Sequence, residues 1–184
     1  MTYQQCEEIH DLTVEFCERW IYPVKSRKAG AAKPQFNGVK SWKLKEQMIG
    51  AARSAKQNIV EGHSLKSRQG YIRLLGVSRG SLEELLEDYK DFARVRGVEL
   101  WEQSDARFRE MGRRGGKGRT GKRGLPLTPS NPSDPSYPLN HLVDLTNRTC
   151  YLLYRQIESL EKKFVEEGGY TENLFKKRLA YRRR

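Results

Sequence analysis

Residues 47–97, QMIGAARSAKQNIVEGHSLKSRQGYIRLLGVSRGSLEELLEDYKDFARVRG, restrict the fold of this chain more than any other stretch. Met48, Ala52, Ala55 and Ile59 recur at spacings of three and four, the repeat of a helix face rather than of a strand, and their small side chains predict close contact with a neighbouring helix. After a short polar break, Tyr71, Leu74, Leu75, Ser78, Leu82, Leu85, Leu86, Tyr89, Phe92 and Ala93 keep the same rhythm for about six turns at 3.6 residues each. A long helix with one apolar side cannot stay alone in water, so this pattern predicts a bundle.

Two further helical patterns supply the missing partners. Ile9, Leu12, Phe16 and Trp20 form a stripe on a helix predicted over Tyr3–Ile21, which Pro23 closes because proline cannot continue the hydrogen-bond ladder. The helix of the first block is predicted over Trp42–Glu61, with Gly62 just past its end, and the next over Ser67–Arg96, stopping at Gly97. A fourth is predicted over Asn140–Glu167, with Leu142, Leu145, Thr146, Thr149, Leu153, Gln156, Ile157, Leu160 and Phe164 inward and Gly168 and Gly169 ending it. With 184 residues and 36% hydrophobic content, one substantial core is expected. The predicted fold is therefore all-α, an antiparallel four-helix bundle. Its first three helices occupy residues 1–103, an insertion 104–138, the fourth helix 139–169 and a basic suffix 170–184.

The insertion reads as two pieces. Ser104 caps a short predicted helix through Met111, and GRRGGKGRTGKRG after it has too little apolar surface to order itself, which predicts disorder. Pro126, Pro129, Pro132, Pro135 and Pro138 then recur every third residue, the period of a polyproline II helix, predicting an extended spacer of roughly 37 Å at 3.1 Å per residue.

Charge is concentrated rather than spread. The net charge is +12. Residues 104–124 hold eight cations against Asp105 and Glu110, and the last nine residues add six more, so these two segments account for the whole excess. Arg113, Arg114, Lys117, Arg119, Lys122 and Arg123 in the first segment are candidate phosphate contacts, as are Lys176, Lys177, Arg178, Arg182, Arg183 and Arg184 in the second. Tyr170, Phe175 and Tyr181 interleave with the second set and suit base stacking, while Leu174, Phe175 and Leu179 equally suit packing of a tail helix on the bundle or on the next subunit. In the remaining body, Lys43, Lys45, Arg53, Lys56, Lys66, Arg68, Arg73 and Arg79 precede the acidic run Glu83, Glu84, Glu87, Asp88 and Asp91, giving the helical hairpin a basic and an acidic end.

Motifs for chemistry fall short. Gly116 to Lys122, GKGRTGK, has the spacing of a phosphate-binding loop, but Arg123 stands where Ser or Thr would hold magnesium and no strand precedes it. Cys6 and His10 lie one helical turn apart without a second ligand pair, and Glu61 beside His63 lacks a nucleophile or an orienting group. The acidic run is the pattern of a solvated helix face more than of a metal site. No catalytic residue, metal or cofactor is expected. Cys6, Cys17 and Cys150 read as reduced packing residues, no apolar run reaches the roughly 20 residues of a membrane span, and a cytoplasmic location is expected.

AARSAKQNIVEG, YIRLLGVSRGSLEELLEDYKDFARVRG and LEKKFVEEGG closely resemble the bacterial four-helix-bundle proteins related to reading frames within intervening sequences of large-subunit ribosomal RNA genes. The chain past Gly169 looks like the subgroup with a four-helix-bundle suffix domain. The resemblance covers residues 47–103 and 139–184 and implies a bundle without enzymatic activity. Relatives include the accessory variability protein of diversity-generating retroelements, a homopentameric barrel that binds nucleic acid through basic surface and associates with a reverse transcriptase. The resemblance thus implies a homo-oligomer, a possible reverse-transcriptase partner, and phosphate contacts at Arg53, Lys56, Arg73 and Arg79, with Arg68 in the same basic end. The expected function is that of a non-enzymatic nucleic-acid-binding accessory protein, with RNA favoured over DNA because single strands suit stacking and flexible tails. The alternative is a structural or protein-interaction scaffold in which the charge is incidental.

Overall fold

A computed structural model describes residues 2–21, 42–102, 104–108, 124–125, 131 and 133–183. Among the described residues the protein is all-helical, with no strand. Five long helices are present: α1 (Thr2–Phe16), α2 (Trp42–Ser64), α3 (Arg68–Arg96), α4 (Ser136–Glu167) and α5 (Tyr170–Arg182). The insertion's glycine- and arginine-rich tract, 109–123, and Pro126, Pro129 and Pro132 lie outside the described residues, as does Pro23.

The apolar stripes are the buried faces. Cys6, Ile9, Leu12 and Phe16 of α1, Met48, Ala52, Ala55 and Ile59 of α2, Leu75, Leu82, Leu85 and Tyr89 of α3, and Leu139, Leu142, Leu145 and Leu153 of α4 form one core. Helix α1 packs on α2 and α4, and α3 likewise packs on α2 and α4. Ser54 Oγ lies 3.0 Å from Ser81 Oγ, Ser78 Oγ donates to the Ala55 carbonyl at 2.7 Å, and Gly62 faces the Tyr71 ring. Numbers that rise along α2 fall along α3, so the hairpin is antiparallel.

Helix α3 has the ends its sequence predicts. Ser67 Oγ accepts from the Gly70 N–H, and Gly97 at φ 63° takes the left-handed conformation that closes helices, with Val98 N–H bonded to the Ala93 carbonyl at 2.9 Å. Three expectations need correction. Gly62 does not end α2, which continues to Ser64; it is buried, and it is small because Tyr71 crosses there. Pro135 has φ −78° and ψ −4°, and Pro138 sits in the first turn of α4, so neither is part of a polyproline spacer. Proline suits a first helical turn because its missing N–H would have no partner there, and α4 begins four residues before the predicted Asn140. Finally, Tyr170–Arg182 forms α5, which buries no residue, so its apolar side chains do not pack on the bundle.

The end of α1 widens into a π-helical turn, Cys17–Ile21, that keeps Cys17, Trp20 and Ile21 all buried. There Phe16 meets Trp20, Tyr89 and Phe92 with ring centroids 5.1 to 5.9 Å apart. Burial raises the Cys6 and Cys17 thiols to about 12 and the Cys150 thiol to about 11, and all three cysteines are free.

Candidate nucleic-acid interface

The cations of the helical hairpin divide into two sets. Arg68 is occupied: one guanidinium nitrogen donates to the Lys163 carbonyl at 2.7 Å and the other to Glu167 at 2.6 Å. Arg79 is occupied as well, paired with Glu83 at 2.8 Å and stacked 5.4 Å over the Tyr154 ring. Arg53 and Arg73 are exposed and Lys56 half-buried, and among the described residues none of the three forms an ion pair. The hairpin therefore leaves three of its five predicted contacts available to a phosphate.

Beyond α4 the chain turns at Gly168, with φ 77°, and enters α5. Glu172 accepts from the Gly169 N–H at 3.1 Å, which starts the helix. Lys176, Lys177, Arg178, Arg182 and Arg183 are all exposed, and so are Tyr170, Leu174, Phe175, Leu179 and Tyr181. At 100° per residue, Tyr170, Leu174 and Tyr181 share one side of the helix and Phe175 and Leu179 another, so cations flank an apolar side chain in nearly every direction. Arg184 lies outside the described residues.

Arg113, Arg114, Lys117, Arg119, Lys122 and Arg123 also lie outside the described residues, but the chain on both sides of their tract is anchored. On the near side, Trp101 is 9% exposed, with Phe108 and Tyr137 edge-on at 5.4 and 4.8 Å and the Arg107 guanidinium 4.4 Å over its ring. Arg107 also bonds Asp105 at 2.6 Å and Glu99 at 3.1 Å, and holds both carboxyls below their ordinary range. Asn140 ties this segment to α4: its side-chain oxygen accepts from Trp101 N–H at 2.7 Å, and its nitrogen donates to the Glu99 carbonyl at 2.9 Å. On the far side, Leu125 is 5% exposed within the core, and its N–H reaches Glu15 at 3.5 Å.

Trp101 and Leu125 carry no signal in the helical periodicity, and Asn140, a helix start in the sequence pattern, gives no sign there of its bonds to Trp101 and Glu99. A leucine between Gly124 and Pro126, just after residues 112–124 in which no large apolar residue occurs, is the available clue. Arg107, counted among the cations of residues 104–124, belongs instead to the anchor.

The described residues that flank the tract and the start of α5 lie at opposite ends of α3. The tract's anchors adjoin the C-terminal end of α3, whereas α5 leaves from beside Arg68 at its start. The 29 residues of α3 separate them by about 43 Å at 1.5 Å per residue.

The remaining candidates resolve as ordinary helix surface. Glu87 pairs with Lys90 and Asp91 with Arg94, one turn apart. Asp88 is half-buried with one carboxyl oxygen unpartnered, and burial, followed by Asp91 and Glu84, raises its carboxyl above the ordinary range. Glu61 and His63 are exposed, the latter edge-on to Tyr71 at 6.0 Å. Among the described residues, no three His, Cys, Asp or Glu side chains gather as a metal site would require, and no helix is long and apolar enough to cross a membrane. No family model, curated protein or solved structure matches the chain.

Proposed function

We propose that this chain is a non-enzymatic nucleic-acid-binding protein: an antiparallel four-helix bundle, α1 to α4, that holds two cationic grips apart. The reading is carried by α5, a helix of 13 residues with four exposed cations, one acid and five exposed large apolar side chains, none of them covered by the other described residues. A surface of that chemistry suits a phosphate backbone with unstacked bases, because ammonium and guanidinium groups displace counterions while tyrosine and phenylalanine offer stacking platforms. RNA single strands fit it better than a duplex, whose bases are not available to stack. Arg53, Lys56 and Arg73 extend the basic surface along the hairpin, and the tract 109–123, tethered at both ends, supplies the second grip. What the resemblance implies would add to this reading a homo-oligomer, pentamer-like in form, with a reverse transcriptase as a candidate partner.

The test is binding of a labelled single-stranded RNA to protein freed of nucleic acid, followed over a range of salt. Binding should weaken steeply with salt. Removing 176–184 should flatten the logarithmic slope by up to about 4, since each of six cations contributes about 0.7 on a single strand. Replacing the cations of 109–123 while keeping Arg107 should flatten it further. Absence of binding to RNA and DNA at low ionic strength overturns the proposal. A second reading, a protein-interaction scaffold, is favoured by the exposed Leu174, Phe175 and Leu179; it requires function to survive neutralisation of both cationic elements.

A further inference from the structure

We propose that the cleft between the end of α2 and the first turns of α3 is a slot for one unstacked guanine of a single-stranded RNA. The cleft holds about 630 Å³, and small-ligand sites commonly span about 300–1,000 Å³. Leu65 and Leu74 give it apolar walls, and Glu61, Gln69 and Arg73 bring polar side chains to it. A glycine keeps it open. Leu65 lies against Gly70, where a Cβ would come within 2.8 Å of Leu65 Cδ1, so a larger residue at 70 would push the leucine aside. The start of α3 is not itself the attraction, because Ser67 Oγ accepts the Gly70 N–H and the Ser67 carbonyl accepts the Tyr71 N–H. The site is made of side chains.

Those side chains select the ligand. Glu61 and Arg73 are both exposed, and neither forms an ion pair among the described residues. A bare phosphate would meet the Glu61 carboxylate, and a bare amine the Arg73 guanidinium. A nucleotide satisfies both, with its phosphate on the guanidinium and its base between the leucines. Guanine alone among the four RNA bases presents two adjacent N–H donors on its Watson–Crick edge, and a carboxylate accepts such a pair with its two oxygens. The neighbouring guanine O6 is an acceptor, which the Gln69 amide can serve as donor. The cleft also lies at the root of α5. Arg68, between Ser67 and Gln69 of its rim, donates to the Lys163 carbonyl and to Glu167, and α5 begins at Tyr170. A strand held by α5 therefore passes beside the slot. The slot rests on the nucleic-acid reading above and gives that otherwise sequence-blind grip a preferred base.

Two measurements on the full chain, freed of nucleic acid, test the slot separately from the grip. In the first, a uridine oligomer and the same oligomer with one central guanosine are compared at fixed salt. The guanosine strand should bind at least about fivefold more tightly. Glu61→Gln should erase that difference, and Leu65→Ala, at another exposed position, should reduce it. Arg73→Gln should instead weaken both strands and lower the salt slope by about 0.7. In the second, guanosine 5′-monophosphate at millimolar concentration should shift the methyl resonances of Leu65 and Leu74, and uridine 5′-monophosphate should leave them in place. Equal affinity for the two strands, a Glu61→Gln protein that still prefers guanosine, or methyl shifts that do not distinguish the two mononucleotides would each overturn the slot while the nucleic-acid reading stands. If neither strand binds, both fall.

Discussion

Buried hydroxyls show how finely single residues are tuned in this core. Thr13, Ser78, Thr146 and Thr149 are all fully buried. Thr13 bonds the Ile9 carbonyl and lies 2.7 Å from the Tyr89 hydroxyl, Ser78 reaches the Ala55 carbonyl, and Thr149 bonds the Leu145 carbonyl at 2.7 Å. The Thr146 hydroxyl has no partner among the described residues. An unpaired buried hydroxyl costs about 1–3 kcal/mol, whereas a methyl group of the same size costs nothing by way of desolvation. Thr146→Val is therefore expected to stabilise the protein by about 1 kcal/mol, read as a higher urea midpoint with an unchanged denaturant slope. A lower midpoint would show that the hydroxyl is satisfied after all. The sequence placed both Thr146 and Thr149 on the inward side of α4, since their spacing repeats that of Leu142, Leu145 and Leu153. It could not separate them, because whether a threonine finds the carbonyl four residues back depends on its rotamer, and its rotamer depends on the neighbouring helix.

At the scale of elements, long periodic patterns were legible and places where one helix bends to another were not. Helix α3 matched its predicted ends because capping is local: Ser67 and Gly97 act on their own backbone. Gly62 looked like the same kind of stop, yet its role is tertiary. A Cβ there would lie 2.7 Å from Tyr71 Cδ2 and 3.2 Å from Leu74 Cβ. The Tyr71 ring is not free to move aside, since its hydroxyl accepts from Gln156 of α4 at 2.9 Å. Gly62→Ala should thus destabilise the fold by about 1–3 kcal/mol through overpacking, although alanine is the better helix former by about 1 kcal/mol. Gly50→Ala in the same helix meets nothing within 4 Å and should stabilise. Opposite signs for the two variants in thermal or urea unfolding are the expected result, and equal effects would mean that the Tyr71 crossing is not tight. The proline period failed for a related reason: Pro135 and Pro138 are equally at home in a helix's first turn, and α4 wins because Leu139 and Asn140 bury there.

Over the whole molecule, composition located the cations but not their relation to the fold. The sequence placed the charge excess in two segments. It could not show that the segments' attachment points lie about 43 Å apart at opposite ends of α3, nor that Arg68 and Arg79 are held by Glu167 and Glu83 while Arg53 and Arg73 are left exposed. Those facts follow from how the helices pack. The same packing separates what stabilises the protein from what its surface displays. The segment after Trp101 and the residue Leu125 are tied into the core, so disturbing them disturbs folding. Helix α5 buries no residue, and among the described residues it is joined to the rest through Gly168, Gly169 and the bond from the Asn173 side chain to the Glu167 carbonyl. Substitutions away from packing, caps and buried polar groups usually change stability by less than about 0.5 kcal/mol, and a chain ending at Gly169 removes only groups of that kind. Its unfolding midpoint should match that of the full chain while its affinity for single-stranded RNA falls. A helix of 13 residues is also too short to hold itself together well in water, so helical content measured by circular dichroism should increase when RNA is added to the full chain and stay unchanged for the truncated one. If truncation instead lowers the midpoint, α5 is docked on a partner surface in solution, and its apolar side chains rather than its cations are the functional part.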